Sequence, residues 1–433
     1  MIAPIIDKGQ VAIVGGVRTP LAKAGSALQN VPMPELARIV LQETLYRFQW
    51  PADKVDEVIL GNVCMPADAA NPARVAAIQA GLPQSVPALT VQRNCASGLE
   101  AVAQAASRVK GGAKVLLAAG AESMSTVPLL FPNETLAPIT RLARAKSLWQ
   151  KAGAVAALRP RHFRPISALL LGLTDPLSNM IMGKTAEVLA HEFNISREEQ
   201  DQFALESHLK AISAIDRIDF GERIVPVYAG KNFKPVAHDI GPRADSTVEA
   251  LAKLRPLFDP KDGSVTVGNS CQVTDGAAGI MVADSDYARS EGLEVLGHIR
   301  GYATAALDPA RMGLGPVFAI ERLLHDTGLD LADIGLFEIN EAFAAQVLAC
   351  LKALDCETFC QRHFSRPGSI GELDPGRLNV NGGAIAWGHP VGATGTRIVL
   401  DLLLEMKRHD VQFGIASLCV AGGQGAAILL ERG

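Results

Sequence analysis

Cys95 stands at the point where an apolar run with strand periodicity gives way to a helical pattern. Leu89 and Val91 alternate before it, and apolar residues then recur at helical spacing until Gly111. A sulfur at the start of a helix faces free N–H groups and the positive end of the helix dipole, which favour thiolate over thiol. We therefore predict that Cys95 is a nucleophile with a lowered pKa and is alkylated before the other six cysteines. The alternative is a small buried residue, because free cysteine is commonly buried.

Three further segments place polar or reactive side chains beside glycines or at predicted strand ends. They are Asn340–Phe343 (N-E-A-F), Gly388–Gly395 (G-H-P-V-G-A-T-G) and Cys419–Gly425 (C-V-A-G-G-Q-G). The candidate catalytic residues in them are Asn340, His389 and Cys419. Taken singly, a histidine before proline is commonly a turn residue, and an asparagine at a strand end is commonly a cap. The prediction therefore depends on the joint pattern.

The elements that must position these residues alternate between strands and helices in the first part of the chain. Strand patterns cover residues 10–17, 55–63 and 114–119, and helical patterns cover residues 33–48 and 71–80. Such alternation predicts an α/β domain with a mostly parallel sheet.

The same alternation returns after Arg255. We predict strands at 264–267, 295–299 and 334–339, helices at 317–326 and 388–407, and a final strand pair across Cys419–Gly425. Because the order of elements repeats that of the first half, the sequence predicts an internal duplication, although residue identity between the halves is weak.

The segment between the halves differs in composition. Prolines interrupt it from Pro128 onward, and no acidic residue lies between Glu134 and Asp175. Seven basic residues lie there instead: Arg141, Arg144, Lys146, Lys151, Arg159, Arg161 and Arg164. A capping-box pattern opens a predicted helix at 196–215. We predict an N-terminal domain of residues 1–122 with 255–286, an inserted domain of residues 123–254 over the active site, and a C-terminal domain of residues 287–433.

Composition limits the class of protein. The 433 residues are 48% hydrophobic and 20% charged, which indicates a folded, soluble chain. The net charge of −4 gives no reason to expect a nucleic-acid partner. We expect neither a signal peptide nor a membrane span, since no apolar stretch approaches the roughly 18 residues that a span needs. Seven cysteines without a Cys-x-x-Cys pair suggest a reducing, cytoplasmic location.

The four segments together, in this order, resemble the motifs of the thiolases, enzymes that make or cleave 3-ketoacyl-CoA. The resemblance extends over essentially the whole chain from Val17–Pro20 (V-R-T-P) onward. It implies an α/β thiolase fold of two duplicated layered halves (αβαβα), each with a mostly parallel sheet, plus an inserted loop domain. It also implies an acyl-CoA C-acyltransferase that yields acetyl-CoA and a shortened acyl-CoA, or runs the reverse condensation. Coenzyme A is then a substrate, and no resident cofactor is implied.

The resemblance assigns a role to each catalytic candidate. Cys95 matches the nucleophile that carries the acyl group, and Cys419 matches the residue that exchanges a proton with the α carbon. His389 matches the histidine that activates the nucleophile and donates to the thioester oxygen. Asn340 matches the residue that holds a water in the same oxyanion site. The N–H groups of Cys95 and Ala421 match the second oxyanion site, where most relatives carry glycine in place of Ala421.

The resemblance also implies a coenzyme A site. Its candidate residues are Arg243, Met182, Met312, Cys271, Ala342 and Phe343. The arginine matches one near the nucleotide, and the two methionines match residues along the pantetheine tunnel, where unbranched side chains suit a narrow arm. Ala342 and Phe343 match wall residues. Cys271 stands where relatives commonly carry a serine that contacts the pantetheine, and a thiol is a poorer donor.

Several functions remain open within and beyond this family. The C-V-A-G-G-Q-G segment and the stretch at 351–359 are similar to thiolases of fatty-acid β-oxidation complexes, whose β-subunits usually carry histidine in place of Asn340. The alternative is an acetoacetyl-CoA-specific biosynthetic acetyltransferase. A decarboxylating ketoacyl-synthase usually pairs one cysteine with two histidines, so Cys419 disfavours it. A non-catalytic lipid-carrier or scaffold protein on the same fold is the alternative of another class.

Partners and metals follow the same reasoning. The resemblance implies a homodimer or homotetramer. The basic run at 141–164, followed by I-S-A-L-L-L-G-L, predicts a surface for a β-oxidation partner subunit or for an anionic membrane, with a solvated face or a phosphate site as alternatives. One predicted helix carries Cys350, Cys356, Cys360 and His363. Nothing in the chemistry needs a metal, so we expect no metal site.

Overall fold

The computed structural model describes residues 5–6, 9–218, 220–230 and 232–433, with the backbone alone for residues 5 and 6. The chain divides into two compact units. One comprises Met1–Thr126 together with Asp175–Gly433, and the other comprises Val127–Thr174. The smaller unit falls within the predicted insertion of residues 123–254, whose boundaries stay a prediction.

The first 126 residues hold strands and helices in alternation. The strands are β1 (Ile5–Ile6), β2 (Val11–Arg18), β3 (Ala22–Lys23), β4 (Glu57–Gly61), β5 (Ala88–Val91) and β6 (Val115–Glu122). The helices are α1 (Met33–Arg47), α2 (Pro72–Gln79) and α3 (Ser97–Lys110). The strands and helices predicted here are confirmed to within a few residues.

The unit Val127–Thr174 contains short elements only. The strands β7 (Leu129–Leu130) and β8 (Ile166–Ser167) pair antiparallel. Its helices are α4 (Leu136–Arg144), α5 (Leu148–Ala156) and α6 (Ala168–Gly172). Helix α5 begins with a capping box, in which the Ser147 hydroxyl accepts the N–H of Gln150 and the Gln150 side chain accepts the N–H of Ser147.

The remaining chain returns to longer elements. Its helices are α7 (Met182–Glu192), α8 (Arg197–Arg217), α9 (Val248–Ala252), α10 (Ser285–Ser290), α11 (Gly315–Thr327), α12 (Ala344–Leu354), α13 (Glu357–Phe364), α14 (Ala384–Trp387) and α15 (Val391–His409). Its strands are β9 (Val227–Ala229), β10 (Lys234–Val236), β11 (Thr274–Asp284), β12 (Gly297–Ala306), β13 (Leu336–Ile339), β14 (Phe413–Val420) and β15 (Gln424–Arg432). Among the described helices, none combines the length and the apolar character needed to cross a membrane.

The strand predicted at 264–267 is wrong. The Glu187 carboxylate of α7 accepts the N–H groups of Ser264 and Val265 at 2.9 Å, and the Asn269 side chain accepts that of Thr266 at 2.7 Å. Because side chains satisfy these N–H groups, no neighbouring strand is required. The segment is an irregular connection that leads towards β11.

One sheet of 11 strands organises the larger unit. Its order is β13-β14-β15-β12-β2-β11-β6-β4-β5, with β1 on β12 and β3 on β11. The pairs β4–β5, β4–β6 and β13–β14 are parallel. The α/β class is confirmed. Antiparallel pairs are more frequent than the prediction of a mostly parallel sheet implied. Strands β14 and β15 form an antiparallel hairpin, and β11 begins beside the end of β6 and runs back along it, with Gly276 opposite Glu122.

The two halves repeat one pattern of strand pairing. In the first half, β4, β6, β11 and β2 lie side by side in this order, and in the second half β13, β14, β15 and β12 lie in the corresponding order. Strand β5 lies beside β4 in the first half. An isolated parallel bridge between Phe337 and Leu378 takes the place of the β4–β5 pair. This repetition matches the internal duplication predicted from the order of elements.

Helices α3 and α15 form a central layer between the halves. Side chains of β2 pack into both neighbouring layers: Val11 and Ile13 pack with the central helices, whereas Val14 and Val17 pack with α1 and α2. A β-bulge at Val14 shifts the alternation along the strand. The second half packs in the same way against α11 and α12. This is the αβαβα layering that was predicted.

Glycines bring the first turns of α3 and α15 into contact. A Cβ on Gly98 would lie 2.7 Å from the backbone nitrogen of Thr396. A Cβ on Gly395 would collide with the backbone nitrogen of Leu99. Only glycine permits so close an approach of two backbones. Cys95 and His389, each two residues before a central helix, are thereby held at the same end of this layer.

Candidate active site

Cys95 lies in a tight turn between β5 and α3. Asn94 adopts a left-handed φ of 43°. The Ser97 hydroxyl accepts the N–H of Arg93 at 2.9 Å and donates to the Asn94 carbonyl at 2.7 Å. The Asn94 amide donates to the Ala421 carbonyl at 2.9 Å. These bonds fix the turn against the hairpin that joins β14 to β15.

The predicted lowering of the Cys95 pKa is wrong. Burial raises the pKa of the Cys95 thiol, and the Glu122 charge adds to this, while the N–H groups of Ala421 and Cys95 itself only partly oppose it. Loss of hydration outweighs two N–H groups here. Of the seven thiols, Cys356 is the one with a lowered pKa, through hydrogen bonds led by that of the Thr358 hydroxyl. Cys95 therefore rests as a thiol and needs a base to ionise.

Cys419 lies buried near the end of β14, opposite Gly425 of β15. Burial, followed by the charges of Cys95, Cys350 and Cys271, raises the pKa of Cys419 well above its usual value. The N–H of Ala421, two residues after Cys419, donates to the Cys95 thiol, and the Asn94 amide donates to the Ala421 carbonyl, so the two thiols lie close together. The charge interactions with Cys271 and Cys350 indicate that these thiols lie nearby as well, because such interactions weaken with distance. The structure therefore brings Cys95 and Cys419 together, although 323 residues of sequence separate them.

Glycines shape the turn that follows Cys419. Gly422 and Gly423 have left-handed φ values of 85° and 75°. A Cβ on Gly423 would collide with the Leu307 carbonyl, and one on Gly425 with the Gly315 carbonyl. The turn can therefore press against residues 307–315 only with glycine at these positions.

His389 is buried in the turn before α15, and its contacts determine its tautomer. The backbone N–H of His389 donates to the Thr274 hydroxyl at 3.1 Å, and the ring atom Nδ1 lies 2.7 Å from Thr394 Oγ1. The Thr394 hydroxyl donates to the Pro390 carbonyl at 3.0 Å, so it accepts the proton of Nδ1. This leaves Nε2 bare, buried and without a partner among the described residues. Burial and the charge of Arg397 lower the pKa of His389 to about 3, so the ring is neutral and Nε2 can accept a proton.

We expect the rate at which Cys95 becomes acylated to stay level between about pH 5.5 and about pH 8. Because the pKa of His389 is lowered to about 3, its neutral form persists through the range in which an ordinary histidine gains a proton. Because the pKa of Cys95 is raised, the thiol stays protonated over the same range. Rapid-quench mass spectrometry of the intact protein checks this. A rate that halves near about pH 6.5 would contradict the neutral buried base.

Asn340 follows β13 and is held by its N–H, which donates to the Ser417 carbonyl at 2.9 Å. Its side chain is buried, and neither Nδ2 nor Oδ1 has a hydrogen-bond partner among the described residues. A buried amide without partners costs free energy, so both atoms are available to a bound group such as a water. The oxyanion role predicted for Asn340 requires such an amide, because it must hold a water.

The candidate wall residues lie in one apolar cluster with Cys419: Met312, Ala342, Phe343 and, packed at its edge, Met182. The ring of Phe343 meets that of Phe258 edge-on, with centroids 6.1 Å apart. The N–H of Cys271 donates to the Ala342 carbonyl at 3.0 Å. The charge of Cys95 contributes to raising the pKa of Cys271 to about 12, second to burial. The structure thus places Cys271 and the wall beside the two thiols.

Arg243 is exposed, and none of the described contacts joins it to this cluster. Its N–H donates to Nδ1 of His208 at 3.3 Å. Burial, with the Arg243 charge second, lowers the pKa of His208 to about 4. The role of Arg243 near a nucleotide stays a prediction.

Sequence reasoning missed Glu122, the last residue of β6. Its buried carboxylate accepts four hydrogen bonds, from the Asn62 amide at 2.9 Å and from the N–H groups of Val63, Cys64 and Gly392 at 3.0 to 3.1 Å. Burial raises the pKa of Glu122 to about 7. The carboxylate joins the first turn of α15, next to His389, to the loop after β4. The sequence feature that could have identified Glu122 is an acidic residue at the end of an otherwise apolar strand.

Glu341 was also missed, although it lies within the N-E-A-F segment. Its buried carboxylate accepts from the Ser207 hydroxyl at 2.7 Å, the Asn379 amide at 2.8 Å and the Ile385 N–H at 3.2 Å. Burial raises the pKa of Glu341. Glu341 therefore anchors the loop of Asn340 to α8 and α14.

The predicted common helix for Cys350, Cys356, Cys360 and His363 is wrong. Cys350 lies in α12, whereas Cys356 caps α13, which contains the other two. The chain turns between the helices, and the Cys350 thiol donates to the Gly313 carbonyl at 3.2 Å. Within the residues that the structure describes, no three His, Cys, Asp or Glu side chains group together in a way that could hold a metal ion.

Known proteins match the chain over nearly its full length. The family model described as thiolase, N-terminal domain, matches residues 11–286, and that described as thiolase, C-terminal domain, matches residues 293–432. The acetyl-CoA acetyltransferase of Pseudomonas aeruginosa is 42% identical, covering 98% of this chain and 99% of its own. The 3-ketoacyl-CoA thiolase of Salmonella typhi is 37% identical, covering 98% and 97%. Human mitochondrial 3-ketoacyl-CoA thiolase in complex with CoA has a TM-score of 0.84 and 33% identity, covering 100% and 99%.

Proposed function

The chain belongs to the thiolase family of acyltransferases, and from this premise we propose that it cleaves 3-ketoacyl-CoA with CoA through an acyl group on Cys95. The products are acetyl-CoA and a shortened acyl-CoA, and the reverse Claisen condensation uses the same residues. The observation that carries the proposal is the pair of thiols, Cys95 and Cys419, in one cluster. Cleavage of a carbon–carbon bond by thiol exchange needs one group to hold the acyl chain and another to protonate carbon.

In the first step, Nε2 of His389 takes the proton of the Cys95 thiol, and the thiolate attacks the 3-keto carbon. The bond between the α and β carbons breaks, and its electrons leave on the enolate of acetyl-CoA while the acyl group stays on Cys95. The protonated Nε2 donates to the enolate oxygen, together with a water on the unpaired amide of Asn340. The N–H groups of Cys95 and Ala421 stabilise the oxyanion on the attacked carbon.

In the second step, Cys419 donates its proton to the α carbon and acetyl-CoA leaves. The raised pKa of Cys419 keeps it a thiol at rest and makes its thiolate a strong base. That thiolate takes the proton of CoA, and the CoA thiolate attacks the thioester on Cys95. The shortened acyl-CoA leaves, and Cys95 regains its proton from His389. Side chains and CoA account for every proton and electron pair, so we propose CoA as a substrate and no resident cofactor.

Coenzyme A binding is part of the same proposal. The wall residues and Cys271 would surround the thioester arm, because they adjoin the thiols in a largely apolar cluster. The exposed guanidinium of Arg243 would meet a phosphate, for which its planar group of donors is suited. The human relative that binds CoA supports this placement by similarity.

We expect the purified protein with CoA to remove the ultraviolet absorbance of the acetoacetyl-CoA enolate, with one CoA consumed for each molecule cleaved. A panel of 3-ketoacyl-CoA from short to long chains then tests the substrate. Activity on long chains supports a degradative role in fatty-acid β-oxidation. Activity confined to acetoacetyl-CoA supports the second candidate, an acetyl-CoA acetyltransferase, the name that the Pseudomonas relative carries. A lack of cleavage with every chain length would contradict both and leave a carrier or scaffold protein.

We further propose a homodimer or homotetramer and a cytoplasmic location. Strand β5 ends the sheet, and its four residues are only half-buried, so the edge that faces away from β4 can pair with a second copy beyond the Ala88 carbonyl, which accepts from the Asn71 amide. All seven cysteines are free, as is usual in a reducing compartment.

A further inference from the structure

The unit Val127–Thr174 exposes apolar surface to an unusual extent. Its buried residues are Thr135, Pro138, Ala154 and His162. Its large apolar side chains are mostly exposed, among them Leu136, Ile139, Leu148, Trp149, Val155 and Phe163. Soluble proteins rarely leave so much apolar surface together in water, and such patches mark sites of interaction.

Both longer helices of this unit turn their apolar face to solvent. In α4, Leu136 and Ile139 are three residues apart and share a face, and Leu136 is 70% exposed. In α5, Leu148 and Val155 are seven residues apart and share a face beside Trp149. Leu148 is 83% exposed and Trp149 is 89% exposed. A surface helix ordinarily turns this face to the core. Here α4 and α5 contact each other, yet these apolar side chains stay exposed.

The same unit is strongly basic. It contains seven lysine and arginine residues and one acidic residue, Glu134, so its net charge is 7 − 1 = +6. Because the whole chain carries −4, the rest carries −4 − 6 = −10. Glu134 pairs with Arg161 at 3.1 Å, and both side chains are exposed. The other six cations have no carboxylate within the unit to pair with.

We propose that Val127–Thr174 docks on an anionic lipid bilayer. The basic side chains contact the headgroups, and the apolar faces of α4 and α5 enter the boundary of the acyl chains. A symmetric contact between two copies of this unit would oppose +6 to +6. The cores of protein–protein interfaces are depleted in charged residues, whereas a headgroup layer over acyl chains accommodates charge and apolar surface at once. Charge and exposure together therefore favour a lipid surface.

Co-sedimentation of the full-length protein with vesicles tests the proposal. We expect binding to vesicles of phosphatidylcholine with phosphatidylglycerol, weakened by salt, and little binding to phosphatidylcholine alone. A variant with Arg159→Glu, Arg161→Glu and Arg164→Glu should bind at least about tenfold more weakly. A variant with Leu148→Ser and Trp149→Ser should also lose about tenfold, because it removes the inserted groups.

The matched control changes the charge equally outside the unit, by Lys234→Glu, Lys253→Glu and Lys261→Glu, and should bind as the unaltered protein does. Turnover of a soluble short-chain substrate shows that each variant is folded. Equal binding to neutral vesicles, or full binding by the arginine variant, would overturn the proposal. The proposal would also be overturned if the Leu148/Trp149 variant bound vesicles normally but no longer associated with itself. The same holds if that variant bound vesicles normally but no longer bound an acidic protein partner. Loss of turnover with binding unchanged would assign the basic run to the substrate site instead.

Discussion

Replacing Cys95 with serine is expected to lower the rate of thiolysis by at least about a thousandfold and to abolish the acylated protein. A serine hydroxyl is far less acidic than a thiol, so His389 cannot ionise it, and an ester would return its acyl group to CoA less readily than a thioester does. Stopped-flow absorbance with acetoacetyl-CoA measures the rate, and intact-protein mass spectrometry measures the acyl group.

Cys356→Ser provides the matched control for this substitution. Cys356 has the lowered pKa among the seven thiols, so it is the residue that alkylating reagents would favour on acidity alone. Its serine variant should keep full thiolysis. An acylated Cys95→Ser protein that turns over at the normal rate, or loss of activity in Cys356→Ser, would move the nucleophile away from Cys95.

Cys419→Ser should separate the two halves of the reaction. Exchange of labelled CoA into acetyl-CoA moves no proton to or from carbon, and His389 can pass a proton between the Cys95 and CoA sulfurs in place of Cys419. Exchange should therefore continue at a rate within about tenfold of normal. Thiolysis of acetoacetyl-CoA should slow by about a thousandfold or more, because carbon must be protonated by a group that replaces the thiol. Deuterium uptake at the methyl group of acetyl-CoA in heavy water should slow in parallel.

Cys350→Ser controls for the introduction of a hydroxyl into the same buried cluster. Cys350 donates to the Gly313 carbonyl at 3.2 Å, a bond that serine can also form. The Cys350→Ser variant should therefore keep both exchange and thiolysis. Equal loss of exchange and thiolysis in Cys419→Ser would show a general disturbance of the site, and normal thiolysis would leave Cys419 a structural residue.

The sequence alone determined the fold class and most of the order of elements, and it supplied the candidate residues for the chemistry. Strand and helix periodicity come from which side chains meet the core, which is a local property of sequence, so α1, α3 and α15 could be predicted to within a few residues. The segments around Cys95, Asn340, His389 and Cys419 could be found because each combines a reactive side chain with glycines or a strand end.

Other local predictions failed where long-range partners decide the outcome. The segment at 264–267 has strand character, but the Glu187 carboxylate, 77 residues away, takes its N–H groups. Glu122 could not be assigned a role from sequence. The groups that donate hydrogen bonds to its carboxylate, around Asn62 and Gly392, come together only in the folded chain. A hydrogen bond of this kind depends on position in space and not on spacing along the chain.

Only the tertiary structure decided the protonation states in the site. The start of a helix suggested a lowered pKa for Cys95, whereas burial in the cluster reverses the sign. The bare Nε2 of His389 depends on Thr394, which donates to Pro390 and so holds the proton of Nδ1. A pKa reports the hydration and charges that surround a group on every side, and the folded chain determines those surroundings. The residue types therefore indicate the chemistry, and the packing determines which of them holds a proton at rest.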